Sequence, residues 1–330
     1  MIYNMPEYWL MKKAEPIVPI ELYLAFSSPS SFTLAVNDAT KHWDGTLKYS
    51  TDASTWSTWD GTTTLSSATS GSDNVLYLVG TGNTVITGNS DKYRWVLTGS
   101  DIACSGNIET LLDYATVQAG GHPTMANYCY QYMFKNCANL TTAPELPANT
   151  LDVYCYASMF YGCTSLTTAP ALPATTLAES CYQYMFRACT NLTTAPTLPA
   201  TTLAGYCYYQ MFNGCTSLTI APALPATTLA ICCYVQMFQD CTSLTQAPAL
   251  PAKRLAQQCY QGIFWGCTSL KFSKTKTGEY TVAYRIPATG TGTTADNALL
   301  NMFIKTGGTF TRDPTINTTY YLSNTNSIVG

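Results

Sequence analysis

The chain is short of charge: 11% of its 330 residues are Asp, Glu, Lys or Arg, where soluble domains usually carry about 25%. Thr, Ser, Asn, Gln and Tyr must therefore carry its solubility. The net charge of -3 supplies no basic field to gather phosphate backbones, which excludes nucleic acid as a partner. No apolar run approaches the roughly 18 residues that a membrane span needs. The N-terminus also lacks the layout of a signal peptide, which points to a protein that stays or assembles in the cytoplasm. Its apolar stretch AEPIVPIELYLAF is interrupted by Glu15 and Glu21 and reads as an extended arm or a first strand.

Chemistry-bearing motifs are equally scarce. There are two histidines, His42 and His122, and neither sits in a nucleophile or metal signature. No nucleophile elbow or P-loop is present. Asp44, Asp52, Asp60 and Asp73 lie in turn-like, solvated text, a poor setting for a pair of glycosidase carboxylates. The sequence implies no enzyme and no cofactor.

What the chain does have is repetition. The pair Cys-Tyr recurs at Cys129, Cys155, Cys181, Cys207, Cys233 and Cys259, each 26 residues after the last. A second cysteine follows in step at Cys137, Cys163, Cys189, Cys215, Cys241 and Cys267. A fixed period of this length is the signature of a stacked array, in which each unit buries its apolar face only against its neighbours.

Within the unit around Cys181, Ala178, Cys181, Tyr182, Met185, Phe186 and Cys189 fall on one arc of a helical wheel, with Ser180, Gln183 and Arg187 opposite. This predicts an amphipathic helix. Thr176 and Glu179 resemble its capping box, and Gly162, Gly214 and Gly266 sit where such a helix would stop in the left-handed conformation, as do Asn136, Asp240 and Ala188 in other copies. The following T-S-L-T-T-A suits one strand of a parallel stack. Pro170 and Pro173 then leave an extended return path. The expected fold is an α/β solenoid of 26-residue strand, turn and helix coils, preceded by an all-β, sandwich-like region.

The text F-x-G-C-T-S-L followed by a Pro-and-Leu turn resembles the BspA-like leucine-rich repeats, found in bacterial surface proteins and in proteins encoded by phages and prophages. The resemblance covers residues about 107 to 270. It implies a right-handed solenoid with an adhesive or recognition role, and it names no ligand.

Fourteen cysteines invite a disulfide or zinc reading, but the spacing disfavours both. On a helix, C-x7-C separates the sulfurs by roughly 12 Å, and nothing resembles C-x2-C. The bland alternative is a set of reduced core thiols acting as small hydrophobes. Cys232 takes the place of Ser180 on the outward side, and is expected to be exposed and reactive.

The flanks read differently. Residues 1–17 are an N-terminal arm and 18–104 a small antiparallel β-sandwich. In it Trp43, Trp56, Trp59 and Trp95 form either core or a carbohydrate-stacking surface. Trp56 and Trp59, in polar text, lean towards exposure. Residues 105–128 make an N-terminal cap coil, 129–270 the repeats, and 271–330 a C-terminal cap with a β-hairpin, where Met302 and Phe303 echo the repeated Met-Phe pair.

The copies agree inside the wheel and differ outside it. Facing out are Tyr128, Gln131 and Lys135, then Tyr154, Ala157 and Tyr161, then Ser180, Gln183 and Arg187. Tyr206, Tyr209 and Asn213 follow, then Cys232, Val235 and Gln239, then Gln258, Gln261 and Trp265. Tyr128, Tyr154, Tyr161, Arg187, Tyr206, Tyr209 and Trp265 are the candidate ligand-binding residues, because aromatic side chains give large contact area at small entropic cost. Drift at unconstrained positions is the competing account.

The expected function is a non-enzymatic attachment or host-recognition protein of a phage virion, assembled in the host cytoplasm. It would join other virion proteins through residues 1–104 and bind a cell-surface glycan or protein through the repeats, with homo-oligomerisation left open. A bacterial cell-surface adhesin and a purely structural capsid or tail decoration protein are the alternatives.

Overall fold

The computed structural model describes residues 23–287, 289–290 and 297–330, so the expected N-terminal arm of residues 1–17 lies outside the described residues. The expectation of helical coils is overturned. Strand makes up 25% and helix 4%, and the single α-helix among the described residues, Thr110–Gln118, precedes the repeats. The fold is therefore not an α/β solenoid but a mostly β structure of several small sheets.

Where helices were expected, the backbone runs through overlapping tight turns. In the first copy the N–H groups of Tyr130, Tyr132, Phe134 and Asn136 donate to the carbonyls of Cys155, Ala157, Met159 and Tyr161 in the next copy, at 2.7 to 3.0 Å. The alternate residues Gln131, Met133, Lys135 and Cys137 donate to the carbonyl three residues back. Every fourth residue, Tyr128, Tyr132 and Asn136, has positive φ, which no α-helix tolerates. Thr176 and Glu179 begin no helix; their carbonyls accept from Leu151 and Tyr154 of the preceding copy instead.

The physical reason is a period of four. Cys-Tyr, Met-Phe and Cys point inward at positions 1, 2, 5, 6 and 9 of the segment, two in and two out. Over so short a run a period of 4.0 and one of 3.6 place the same side chains on the same face. The left-handed conformation expected at Gly162, Gly214, Gly266, Asn136, Asp240 and Ala188 is present, with φ between 58° and 76°. It is the last of the left-handed sites in each coil rather than a helix stop. Ala188, at φ 60°, is the costly choice at this position, since a side chain there is strained by about 1–2 kcal/mol. Ala188→Gly is expected to stabilise the chain by about 1 kcal/mol, less what the added freedom of the unfolded glycine removes. Urea unfolding of the two proteins measures it, and a midpoint at or below that of the parent would contradict the assignment.

The strand expected at T-S-L-T-T-A is realised as parallel pairing between copies. Leu140–Thr142 is a strand, Thr168 bridges Thr194 and Ile220 bridges Gln246. Stacking in register lines up identical side chains. The rings of Tyr130, Tyr156, Tyr182, Tyr208, Tyr234 and Tyr260 follow one another at 5.6 to 6.0 Å. Those of Phe134, Phe160, Phe186, Phe212, Phe238 and Phe264 do so at 5.6 to 6.1 Å. The second cysteine of each unit also has a hydrogen-bonding role. The thiols of Cys163, Cys189, Cys215, Cys241 and Cys267 donate to the carbonyls of Phe134, Phe160, Phe186, Phe212 and Phe238, at 2.9 to 3.1 Å.

Both flanks join this core. Six strands run in the order Leu140–Thr142, Ile102–Ser105, Leu24–Ser28, Asp73–Thr81, Thr46–Ser50 and Ser57–Trp59, with Ala68–Ser70 also on Asp73–Thr81. All these pairings are antiparallel except the first, through which the first repeat adds directly to the N-terminal sheet. A smaller sheet of Leu65–Ser66, Thr33–Val36 and Trp95–Thr98 completes this region. Trp43, Trp59 and Trp95 are core residues; Trp59 is buried despite its polar text because its indole donates to the Thr63 carbonyl at 2.9 Å. Trp95 meets Phe134 edge-on at 6.0 Å.

At the far end Met302 and Phe303 are buried, and Phe303 stacks on Phe264. Tyr280–Arg285, Thr319–Ser323, Lys271–Ser273 and Gly307–Gly308 form a four-stranded sheet over them. One continuous apolar cluster spans Leu24 to Leu322. Among the described residues no helix is long and apolar enough to cross a membrane.

Candidate functional site

Tyr128, Tyr154, Tyr161, Arg187, Tyr206, Tyr209 and Trp265 are all half-buried, each held among the outward side chains of neighbouring coils. Register decides which of them meet. Tyr128 and Tyr154 stack at 5.3 Å, and Tyr206 meets Tyr209 at 5.9 Å. Tyr209 also packs edge-on against Tyr184 at 5.4 Å. Lys135, Tyr161 and Arg187 occupy one position in three successive copies, and the Tyr161 ring lies 5.3 Å from Lys135 Nζ and 5.5 Å from Arg187 Cζ. The outward tyrosines Tyr132 and Tyr184 were missed. The two-in, two-out alternation exposes them, and a 100° wheel does not.

Several residues expected outside are buried: Gln131, Ala157, Ser180, Asn213, Cys232 and Val235. Each outward side chain is flanked by its equivalents above and below, so a large neighbour covers a small one. Cys232 is 3% exposed, and its thiol donates to Gln258 Oε1 at 3.3 Å. All fourteen cysteines are buried, Cys232 included, so the exposed, reactive thiol expected there is not found.

Comparison of the chain with family models, with curated proteins and with solved structures returns no match. Function must therefore be argued from the chain's own geometry.

Outside the repeats, three of the four aspartates considered as glycosidase carboxylates, Asp44, Asp52 and Asp60, are held by hydrogen bonds within turns and loops. Asp52 accepts from Ser54 N, Thr55 N and Ser50 Oγ, and the backbone donors hold it far below its usual range. Asp60 is lowered by the Thr62 backbone N–H and hydroxyl. Burial works to raise Asp44, but Thr84 and Val85 donate to it and bring it down.

Two features had no sequence signal. Glu109, 1% exposed, lies with Oε2 2.8 Å from His122 Nδ1. Its Oε1 is unpartnered among the described residues, and burial raises its pKa against the pull of His122. The pair lines a cleft of about 290 Å³ with Asn149, Thr150 and Asp152. A second cleft of about 290 Å³ is walled by Tyr23, Lys48, Ala53, Trp56, Val79 and Tyr114; sequence spacing does not bring these residues together. Among the described residues no group of three His, Cys, Asp or Glu is placed to hold a metal.

Proposed function

We propose that the chain is a non-enzymatic recognition protein of a phage particle, which binds a cell-surface glycan or protein through the tyrosine-rich side of its repeat stack. One observation carries the reading. A core whose Cys, Tyr, Met and Phe positions barely change between copies supports an outer side that does change, where Tyr recurs as often as Gln and Trp, Lys and Arg enter once each. Half-buried aromatic rings wedged against one another have little rotamer freedom left to lose on binding, which favours affinity. The resemblance of the repeat text to phage and prophage proteins supports the setting.

The test is binding of the fluorescently labelled chain to a panel of bacterial cells, beside a Tyr161→Ala, Tyr184→Ala, Tyr209→Ala triple variant whose circular dichroism matches the parent. Saturable binding by the parent, weakened about a hundredfold or more in the variant, is the expected result, since losses above 1 kcal/mol at each anchor compound. Equal binding by both proteins would refute the assignment of this side, and purified particles lacking the chain would refute its placement.

A further inference from the structure

The tyrosine-rich side of the repeats carries Lys135 and Arg187, and of these two Lys135 is the one that is neutralised. Lys135 Nζ lies 2.9 Å from Asp91 Oδ2, an aspartate contributed by the N-terminal region. Arg187, two copies further along the same ladder, forms no ion pair with any described residue, and no described acceptor takes a hydrogen bond from its guanidinium. Its neighbours are rings instead: Tyr161 at 5.5 Å and Tyr184 at 5.4 Å from Cζ. Glu145, Asp152, Glu179 and Asp240, the acids of the repeats, leave it unpaired.

Two aromatic neighbours do two things to a guanidinium. They restrict its rotamers, and they strip water from part of it without satisfying any of its five N–H donors. What remains is a positioned, forked donor in partly desolvated surroundings, which matches the two oxygens of a carboxylate or phosphate group. Phenol hydroxyls on Tyr161 and Tyr184 supply neutral hydrogen-bonding groups nearby, of the kind that meet sugar hydroxyls.

We propose that Arg187 is an oxyanion-binding position and that the ligand of this side of the stack is an acidic glycan, bound through its carboxylate or phosphate. This rests on the recognition role proposed above. Lys135, tied to Asp91, plays no equal part.

The chain has five arginines, so selective 15N-arginine labelling of the full chain resolves Arg187 among few signals, and Arg187→Gln identifies it. Three probes are titrated: a methyl sialoside, mannose 6-phosphate and neutral lactose. The expected result is a saturable shift of the Arg187 signal with one acidic sugar, none with lactose, and at least about tenfold weaker binding in Arg187→Gln. Tyr184→Phe should keep the shift. A sialoside response names a carboxylate ligand, and a mannose 6-phosphate response a phosphate. No shift with either acid, or equal shifts of all five arginines, would overturn the proposal. The cell assay separates the two ideas. Cell binding that survives Arg187→Gln removes the oxyanion position and leaves the recognition role standing. A saturable Arg187 shift without cell binding does the reverse.

Discussion

Raising the pH from 8 to 10 is expected to unfold the chain. The twelve repeat cysteines are buried, and burial pushes their thiols up: Cys137 to about 11, and Cys181, Cys189 and Cys259 to about 12. The others are also raised, several of them further. An unfolded thiol ionises near its ordinary value of about 9, whereas the folded one keeps its proton. The stability these groups confer is therefore intact below about pH 8 and falls as the pH climbs from the unfolded value towards the folded one. Each thiol loses about 0.8 kcal/mol by roughly pH 9.5. Twelve together lose about 10 kcal/mol, comparable to the whole stability of an ordinary domain. The buried tyrosine ladder, raised above its ordinary value of 10, adds to the loss at higher pH. Circular dichroism and thiolate absorbance followed against pH should change together in one steep step, and a thiol reagent at pH 7 should find no fast-reacting group. A urea midpoint that stays level from pH 8 to pH 10 would defeat the account.

The second large effect is expected at Gly80. It lies in the strand Asp73–Thr81 where the helix Thr110–Gln118 crosses, and a methyl group there would overlap the Leu111 carbonyl. The overlap is with backbone, which a rotamer change cannot relieve. Beside it Asn83 Nδ2 donates to the carbonyls of Thr46 and Leu111 at 2.9 and 2.8 Å, and its Oδ1 accepts from Gly45 N. Gly80→Ala must therefore shift the helix and break part of this network, at a cost of about 3 kcal/mol or more. Gly205→Ala is the control. Its methyl would meet the exposed Ile231 side chain at 3.3 Å and the Ile231 carbonyl oxygen at an ordinary van der Waals 3.8 Å, and its effect should stay within about 1 kcal/mol. Denaturant unfolding of both variants decides, and a Gly80→Ala protein as stable as its parent would show that the helix does not approach the strand so closely.

The candidate site was legible in part. Tyr128, Tyr154, Tyr161, Arg187, Tyr206, Tyr209 and Trp265 stand out because the copies disagree there. Their meeting partners did not stand out, because contacts such as Arg187 with Tyr184 depend on the backbone path between them. Cys232 shows the same limit. Its position was read as outward, but its burial comes from Tyr206 and Gln258 in the adjoining coils, 26 residues away on either side. Glu109 and His122 meet through a loop whose course no spacing rule describes.

The sequence by itself determined the 26-residue period, the stacking of units, and the identity of the core: Cys, Tyr, Met, Phe and Leu recur because identical side chains stacked in register must all fit one cross-section. Only the tertiary structure decided the backbone. The choice between helix and overlapping turns is a choice of hydrogen-bond partner. Here the alternate N–H groups find carbonyls 25 residues ahead in the next coil, a partner that local periodicity does not describe.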